Sequence, residues 1–179
     1  MEIIAAILTL TCVILTIRSN ILCWPLSILS SLAYMYVFID EHIYFQVGVQ
    51  SVFIIQSIYG WRYWGRVKNY KEVDTSWVHV IVNLTIILFL TLIFYVTLKG
   101  KTDNPQLCLD ILTSLLSLLG VWYLAVRNIF GWFIWVLADV FFILMFMEQH
   151  MYWSTGLYFV LLFLTIKGLI QWGKNITTV

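Results

Sequence analysis

Asn128, Trp132, Trp135 and Asp139 carry the most suggestive chemistry in the chain. They stand at i, i+4, i+7 and i+11, which is one face of a helix. Indoles stack on planar rings, a carboxamide both donates and accepts hydrogen bonds, and a carboxylate balances positive charge. Together they would form one wall of a cavity for a flat polar solute. The other reading is packing: Asn128 caps a helix and the indoles sit at headgroup level. Trp135 and Asp139 lie too far into an apolar stretch for that level. An Asp within such a stretch is costly and marks a functional candidate, although it can equally pair inside the protein.

A related face begins with Asn20 and Trp24 and continues through Ser27 and Ser31, with Tyr34 a turn further on. It repeats the Asn and the first Trp, then turns small where the other face has Trp135 and Asp139. Two unequal walls suit an asymmetric solute. Pro25 falls near the start of this segment, where a helix tolerates it. A third polar set is Gln46, Gln50 and Gln56. Gln56 lies near the middle of its apolar segment, where an unpaired amide is expensive, so it bonds either a solute or a neighbouring helix.

These residues need a scaffold, and composition names it. Of 179 residues, 62% are hydrophobic and 11% charged, too few charges to clothe a soluble domain. The nine tryptophans suit both interfacial belts and a stacking site. The fold class is all-α integral membrane. Apolar runs of bilayer length predict seven helices near Glu2–Ile17, Ile21–Ile39, Ile43–Tyr63, Val78–Leu98, Leu107–Val126, Ile129–Met147 and Met151–Trp172. Asn104-Pro105 would cap the fifth. Arg18, Arg62, Arg66, Lys68, Lys71, Arg127, Lys167 and Lys174 then lie on or towards one side, and Lys99 and Lys101 on the other. That bias puts the N-terminus outside and the C-terminus inside. Met1 to Ile17 shows neither a basic start nor a small-residue cleavage site, so no cleavable signal is expected.

Sliding the chain on itself by 108 residues aligns Asn20–Arg66 with Asn128–Lys174 without gaps. Asn20 and Trp24 fall on Asn128 and Trp132, His42 on His150, and Tyr44 on Tyr152. Gly48 and Gly60 fall on Gly156 and Gly168, and Trp64-Gly-Arg66 on Trp172-Gly-Lys174. Gln50 falls on Tyr158, a further candidate for the cavity wall. Chance matching of apolar residues does not reproduce these polar, glycine and tryptophan positions. The four paired glycines read as close helix contacts. Two three-helix repeats can share one direction only if a helix intervenes, and Val78–Leu98 is that helix. The chain therefore divides into a first repeat (1–66), a loop and peripheral linker helix (67–103) and a second repeat (104–179). This is the 3+1+3 parallel plan of SWEET-like carriers, whose site lies between the halves.

Other classes lack machinery. No nucleophile elbow, phosphate loop or metal cluster is visible, so no catalytic residue, metal or cofactor is expected. His42 and His150 have no metal-motif spacing around them. A net charge of +1 excludes nucleic acid as a natural partner. Cys12, Cys23 and Cys108 read as small apolar side chains rather than a disulfide framework. A retinal-binding seven-helix photoreceptor or pump would use Lys167, but that residue stands near a helix end, where snorkelling explains it. A membrane enzyme would need a histidine beside Asp139, and the histidines fall on the outer face.

The Asn-x3-Trp-Pro start of the second helix resembles the PnuC vitamin transporters, as do Tyr59-Gly-Trp-Arg-Tyr-Trp64 and Asn128-x3-Trp132-x2-Trp135. The resemblance covers about the whole chain. It implies uptake of nicotinamide riboside by facilitated diffusion across a bacterial inner membrane, with a cytoplasmic kinase trapping the product. It also implies substrate contact by Asn128, Trp132, Trp135 and Gln56, and suggests a homo-oligomer. Related members carry thiamine or riboflavin, so the family alone leaves the solute open.

Overall fold

The computed structural model describes residues 2–40, 44–66, 76–101 and 106–177. Seven helices make up these residues: α1 (Glu2–Ile17), α2 (Cys23–Asp40), α3 (Tyr44–Arg66), α4 (Trp77–Leu98), α5 (Leu107–Ala125), α6 (Phe130–Glu148) and α7 (Tyr152–Thr177). Five of them, α2 and α4 to α7, are long and apolar enough to cross a membrane. α1 is apolar but only 16 residues long. α3 has the length and carries three glutamines and two arginines.

Threonines inside these apolar helices satisfy their hydroxyls locally. Thr16, Thr91 and Thr165 each donate to the carbonyl four residues earlier. That removes the penalty of an unpaired hydroxyl in an apolar setting.

Sharp turns end α1 and α5 in the same way. Ser19 and Arg127 take left-handed backbone conformations, with φ of 53° and 59°. The next amides, of Asn20 and Asn128, donate back to Leu15 and Tyr123 at 2.9 and 2.8 Å, closing the helix with a six-to-one bond. The Asn20 carboxamide oxygen then accepts from the Leu22 amide, and that of Asn128 from the Phe130 amide, both at 2.9 Å. Each asparagine thus opens the following helix by an Asx turn. Asn104 and Pro105 lie outside the described residues, and Gln106 stands before α5 with no side-chain capping bond. His42 lies outside them too, while His150 takes the left-handed position, φ 58°, between α6 and α7.

The helices pack as a closed ring in the order α1, α2, α3, α5, α6, α7 and back to α1. α4 lies outside it, against α5. Val80 and Ile87 of α4 join a buried cluster with Leu116, Tyr123, Phe130, Ile134 and Ala138. Asn83 of α4 donates to the Tyr123 hydroxyl at 2.7 Å. The rest of α4, from Val78 to Val96, exposes large apolar side chains, as a lipid-facing surface should.

Candidate functional site

Four tryptophans meet where the two sets of ring helices join. Trp24 of α2 and Trp132 of α6 are buried, each laid over a glycine of the next helix in sequence. A Cβ built on Gly60 would lie 2.6 Å from the Trp24 ring, and one on Gly168 2.7 Å from the Trp132 ring. Glycine is required at both places because the indole occupies the space a methyl would need. Gly48 and Gly156 differ from the sequence expectation: a Cβ there meets nothing within 4 Å. Their pairing in the repeat does not mark close helix contact.

Trp64 and Trp172 complete the set from the ends of α3 and α7. Trp24 meets Trp64 edge-on at 5.2 Å, Trp64 lies 6.1 Å from Trp172, and Trp172 meets Trp132 edge-on at 5.6 Å. The Trp64 indole N–H donates to the Ala125 carbonyl at 3.1 Å, and that of Trp172 to the Ile17 carbonyl at 3.3 Å. Each bond ties the last helix of one half to the first helix of the other. One cation breaks the likeness. Arg127 is buried, with its guanidinium 3.8 Å from the centre of the Trp64 ring, a cation–π contact; serine stands at the corresponding position 19. From its place in the sequence, Arg127 counts only as a charge at the membrane edge. Trp64, Trp172 and Arg127 were absent from the expected site, although Trp-Gly-Arg and Trp-Gly-Lys recur in the repeat and offered a signal for both tryptophans.

Beyond this cluster the walls diverge. Trp135 of α6 lies over Gly120 of α5, where an added Cβ would be 2.7 Å from the indole. The matching positions in the first half are Ser27 and Cys12, and the Ser27 hydroxyl bonds Ser57 of α3 at 2.9 Å instead. Asp139 is buried one turn beyond Trp135 and accepts from Thr165 of α7 at 2.8 Å. Gln56 donates to the Leu118 carbonyl of α5 at 3.1 Å. Gln46 donates to Asp110 and Ser114 of α5, at 2.8 and 3.2 Å. Gln50 is buried on α3. Tyr158 packs on Phe142 and Phe146, with ring centres 4.4 and 5.3 Å away. Asn20 is exposed and Asn128 buried, and the carboxamide oxygens of both are used in their turns.

Among the described residues, several buried polar atoms have no hydrogen-bond partner: Trp24 Nε1, Trp132 Nε1, Gln56 Oε1, Ser117 Oγ and Asp139 Oδ1. Folded proteins pair nearly all such atoms. Asp139 stands seven residues from Trp132, about 10 Å along α6, and Gln56 one turn from the Trp24 notch at Gly60. The set offers indole N–H donors and amide and carboxylate acceptors, and no donor among the described residues reaches its two carbonyl-type oxygens.

Lys167 is exposed at the α1–α7 seam. Among the described residues, no group of three or more histidines, cysteines or acids could hold a metal ion.

No curated protein matches the chain. A solved structure, the crystal structure of the vitamin B3 transporter PnuC, superposes with a TM-score of 0.78 at 16% identity, covering 98% of this chain and 81% of that one. That likeness concerns the fold. The family model of the nicotinamide mononucleotide transporter matches residues 1–174. With apolar helices long enough to span a membrane and a match over nearly its whole length, the chain belongs to the nicotinamide mononucleotide transporter family, a family of membrane transporters.

Proposed function

We propose that the protein takes up nicotinamide riboside by facilitated diffusion. The observation that carries this reading is the set of buried, partnerless polar atoms on α2, α3 and α6. An unmet buried donor or acceptor costs about 1–3 kcal/mol, so the set makes sense as the complement of a polar solute. Ribose hydroxyls would accept from Trp24 and Trp132 and donate to Gln56 and Asp139. The flat cationic pyridinium would stack on Trp135 or Trp132 and draw on the Asp139 carboxylate. Gln50 and Tyr158 would line the path further along α3 and α7. Asn20 and Asn128 would act by holding the starts of α2 and α6, with Asn128 closest to the solute.

In this reading all seven helices cross a bacterial inner membrane, with the N-terminus outside. Residues 1–66 and 104–179 form parallel halves joined by 67–103. The paired turns, paired Trp–Gly notches and crossed Trp64–Ala125 and Trp172–Ile17 bonds support that plan. Transport is a rocking of the halves about the seams that these bonds close. Phosphorylation of the product by a cytoplasmic kinase keeps the gradient inward, with no coupled ion.

Thermal unfolding of the purified protein in detergent tests the solute. Nicotinamide riboside is expected to raise the unfolding temperature, whereas nicotinamide mononucleotide, thiamine, riboflavin and common nucleosides leave it unchanged. Trp132→Phe keeps the ring and removes the orphan N–H, and it should weaken the riboside shift. A larger shift with thiamine or riboflavin refutes the riboside; an undiminished shift in Trp132→Phe refutes the site. Topology is checked by labelling single cysteines. Asn20→Cys and Lys174→Cys should react from one side, Lys99→Cys and Gln149→Cys from the other.

A further inference from the structure

The two seams between the halves are closed differently. At the α3–α5 seam, Tyr59 stacks on Tyr63 at 6.0 Å and on Trp122 at 5.2 Å, a continuous run of rings. Displaced by 108 residues, those positions become Lys167, Gln171 and Ile14. There the α1–α7 seam holds a notch of about 240 Å³ lined by Ile14, Ile17, Arg18, Leu164, Lys167 and Gln171. Both seams carry the same crossed indole bond, from Trp64 to Ala125 and from Trp172 to Ile17. The notch is therefore the place where the α1–α7 seam has a cation and an amide on α7 and an aliphatic chain on α1 in place of three rings.

The chemistry of the lining is specific. Arg18, Lys167 and Gln171 are exposed and Ile17 is buried, and none of the described residues that line the notch is a carboxylate. Arg18 directly follows the end of α1, and Gln171 adjoins Trp172, whose indole bonds the end of α1. Lys167 sits four residues, about 6 Å, further along α7, and its stem is long enough to bring the ammonium to the same level. Two cations and an amide over an aliphatic floor fit a phosphate attached to something apolar. Arg offers its planar fork and Lys a point charge. Exposed Ile166 and Ile170 stand beside Lys167 and Gln171 on α7, so apolar surface that suits an acyl chain adjoins the cations.

We infer that the α1–α7 seam is a phosphate-anion site whose occupant is the headgroup of an acidic phospholipid. A lipid seated there grips the first helix of one half and the last helix of the other. It takes the place at this seam that stacked rings take at the other. The site is separate from the solute-binding residues and does not depend on which solute is carried.

The test uses the full chain in detergent. Phosphatidylglycerol in mixed micelles is expected to raise the unfolding temperature by about 5 °C, and phosphatidylcholine to leave it unchanged. The double variant Arg18→Gln/Lys167→Gln should lose the shift and retain less phosphatidylglycerol in native mass spectrometry. Arg62→Gln, a control that removes an exposed arginine elsewhere, should keep both. Should the double variant fold poorly, Lys167→Tyr, which restores the ring of the other seam, should lower lipid retention by itself. Inorganic phosphate separates the sources: a shift that depends on Arg18 and Lys167 in lipid-free micelles keeps the anion site and overturns the lipid as its occupant. Equal shifts with the two lipids, or an undiminished phosphatidylglycerol shift in the double variant, overturn the site.

Discussion

The starts of α2 and α6 are built alike, while their middles are not. At both starts an asparagine closes a turn, a tryptophan follows four residues on, and a glycine on the next helix makes room for the ring. One helical turn further in, the first half has Ser27 hydrogen-bonded to Ser57, where the second has Trp135 pressed on Gly120. The lesson is a division of labour. The paired features seat the starts of both helices in the same way, and the unpaired features differ beyond them. In the proposed function, unlike walls suit a solute that has no symmetry of its own.

Exchanging residues between the halves tests this division, with thermal unfolding and riboside uptake in proteoliposomes as readouts. Trp135→Ser gives the second half the first half's residue and empties the space over Gly120. It should lower stability by about 3 kcal/mol and abolish uptake. Gly60→Val and Gly168→Val each drive a branched side chain into an indole, and each should lower stability by about 2 kcal/mol. Similar effects would uphold the likeness of the two starts. A tolerated Gly60→Val beside a damaging Gly168→Val would break it. Arg127→Ser installs the residue at position 19 and removes the cation from the Trp64 face, a loss of about 1 kcal/mol. The smallest effect has the opposite sign. Gly48→Ala and Gly156→Ala meet open space and should stabilise their helices by about 0.5–1 kcal/mol. Destabilisation there would mean that these glycines are needed for contact with something outside the single chain.

Much of the frame was legible from the residues. All seven helix positions could be read within a few residues, because apolar runs of bilayer length have few other uses. The 108-residue offset pointed to Trp24 and Trp132 together, and the structure gives both the same glycine seat. Less of the site was legible. Asn128 reads either as a cavity wall or as a helix cap, and its oxygen serves the turn before α6. Arg127 read as an interfacial charge and is buried against Trp64. In the sequence, Gly48 and Gly60 look equivalent, and only one lies under a ring. Pattern shows which positions are paired; it does not show which neighbour each one meets.

The chain's order of apolar runs determined by itself that this is a helical membrane protein, and its repeated Asn, Trp and Gly residues set out a correspondence between positions 108 residues apart. Those features are local or periodic, and bilayer thickness and helix geometry convert them directly into elements. Tertiary packing decided which tryptophans meet, which seam is filled by rings and which is left open, and which polar atoms are buried without a partner. The tryptophan and seam contacts join residues from 40 to 155 positions apart, as between Trp24 and Trp64 and between Trp172 and Ile17. Such contacts exist only once the ring of helices has closed.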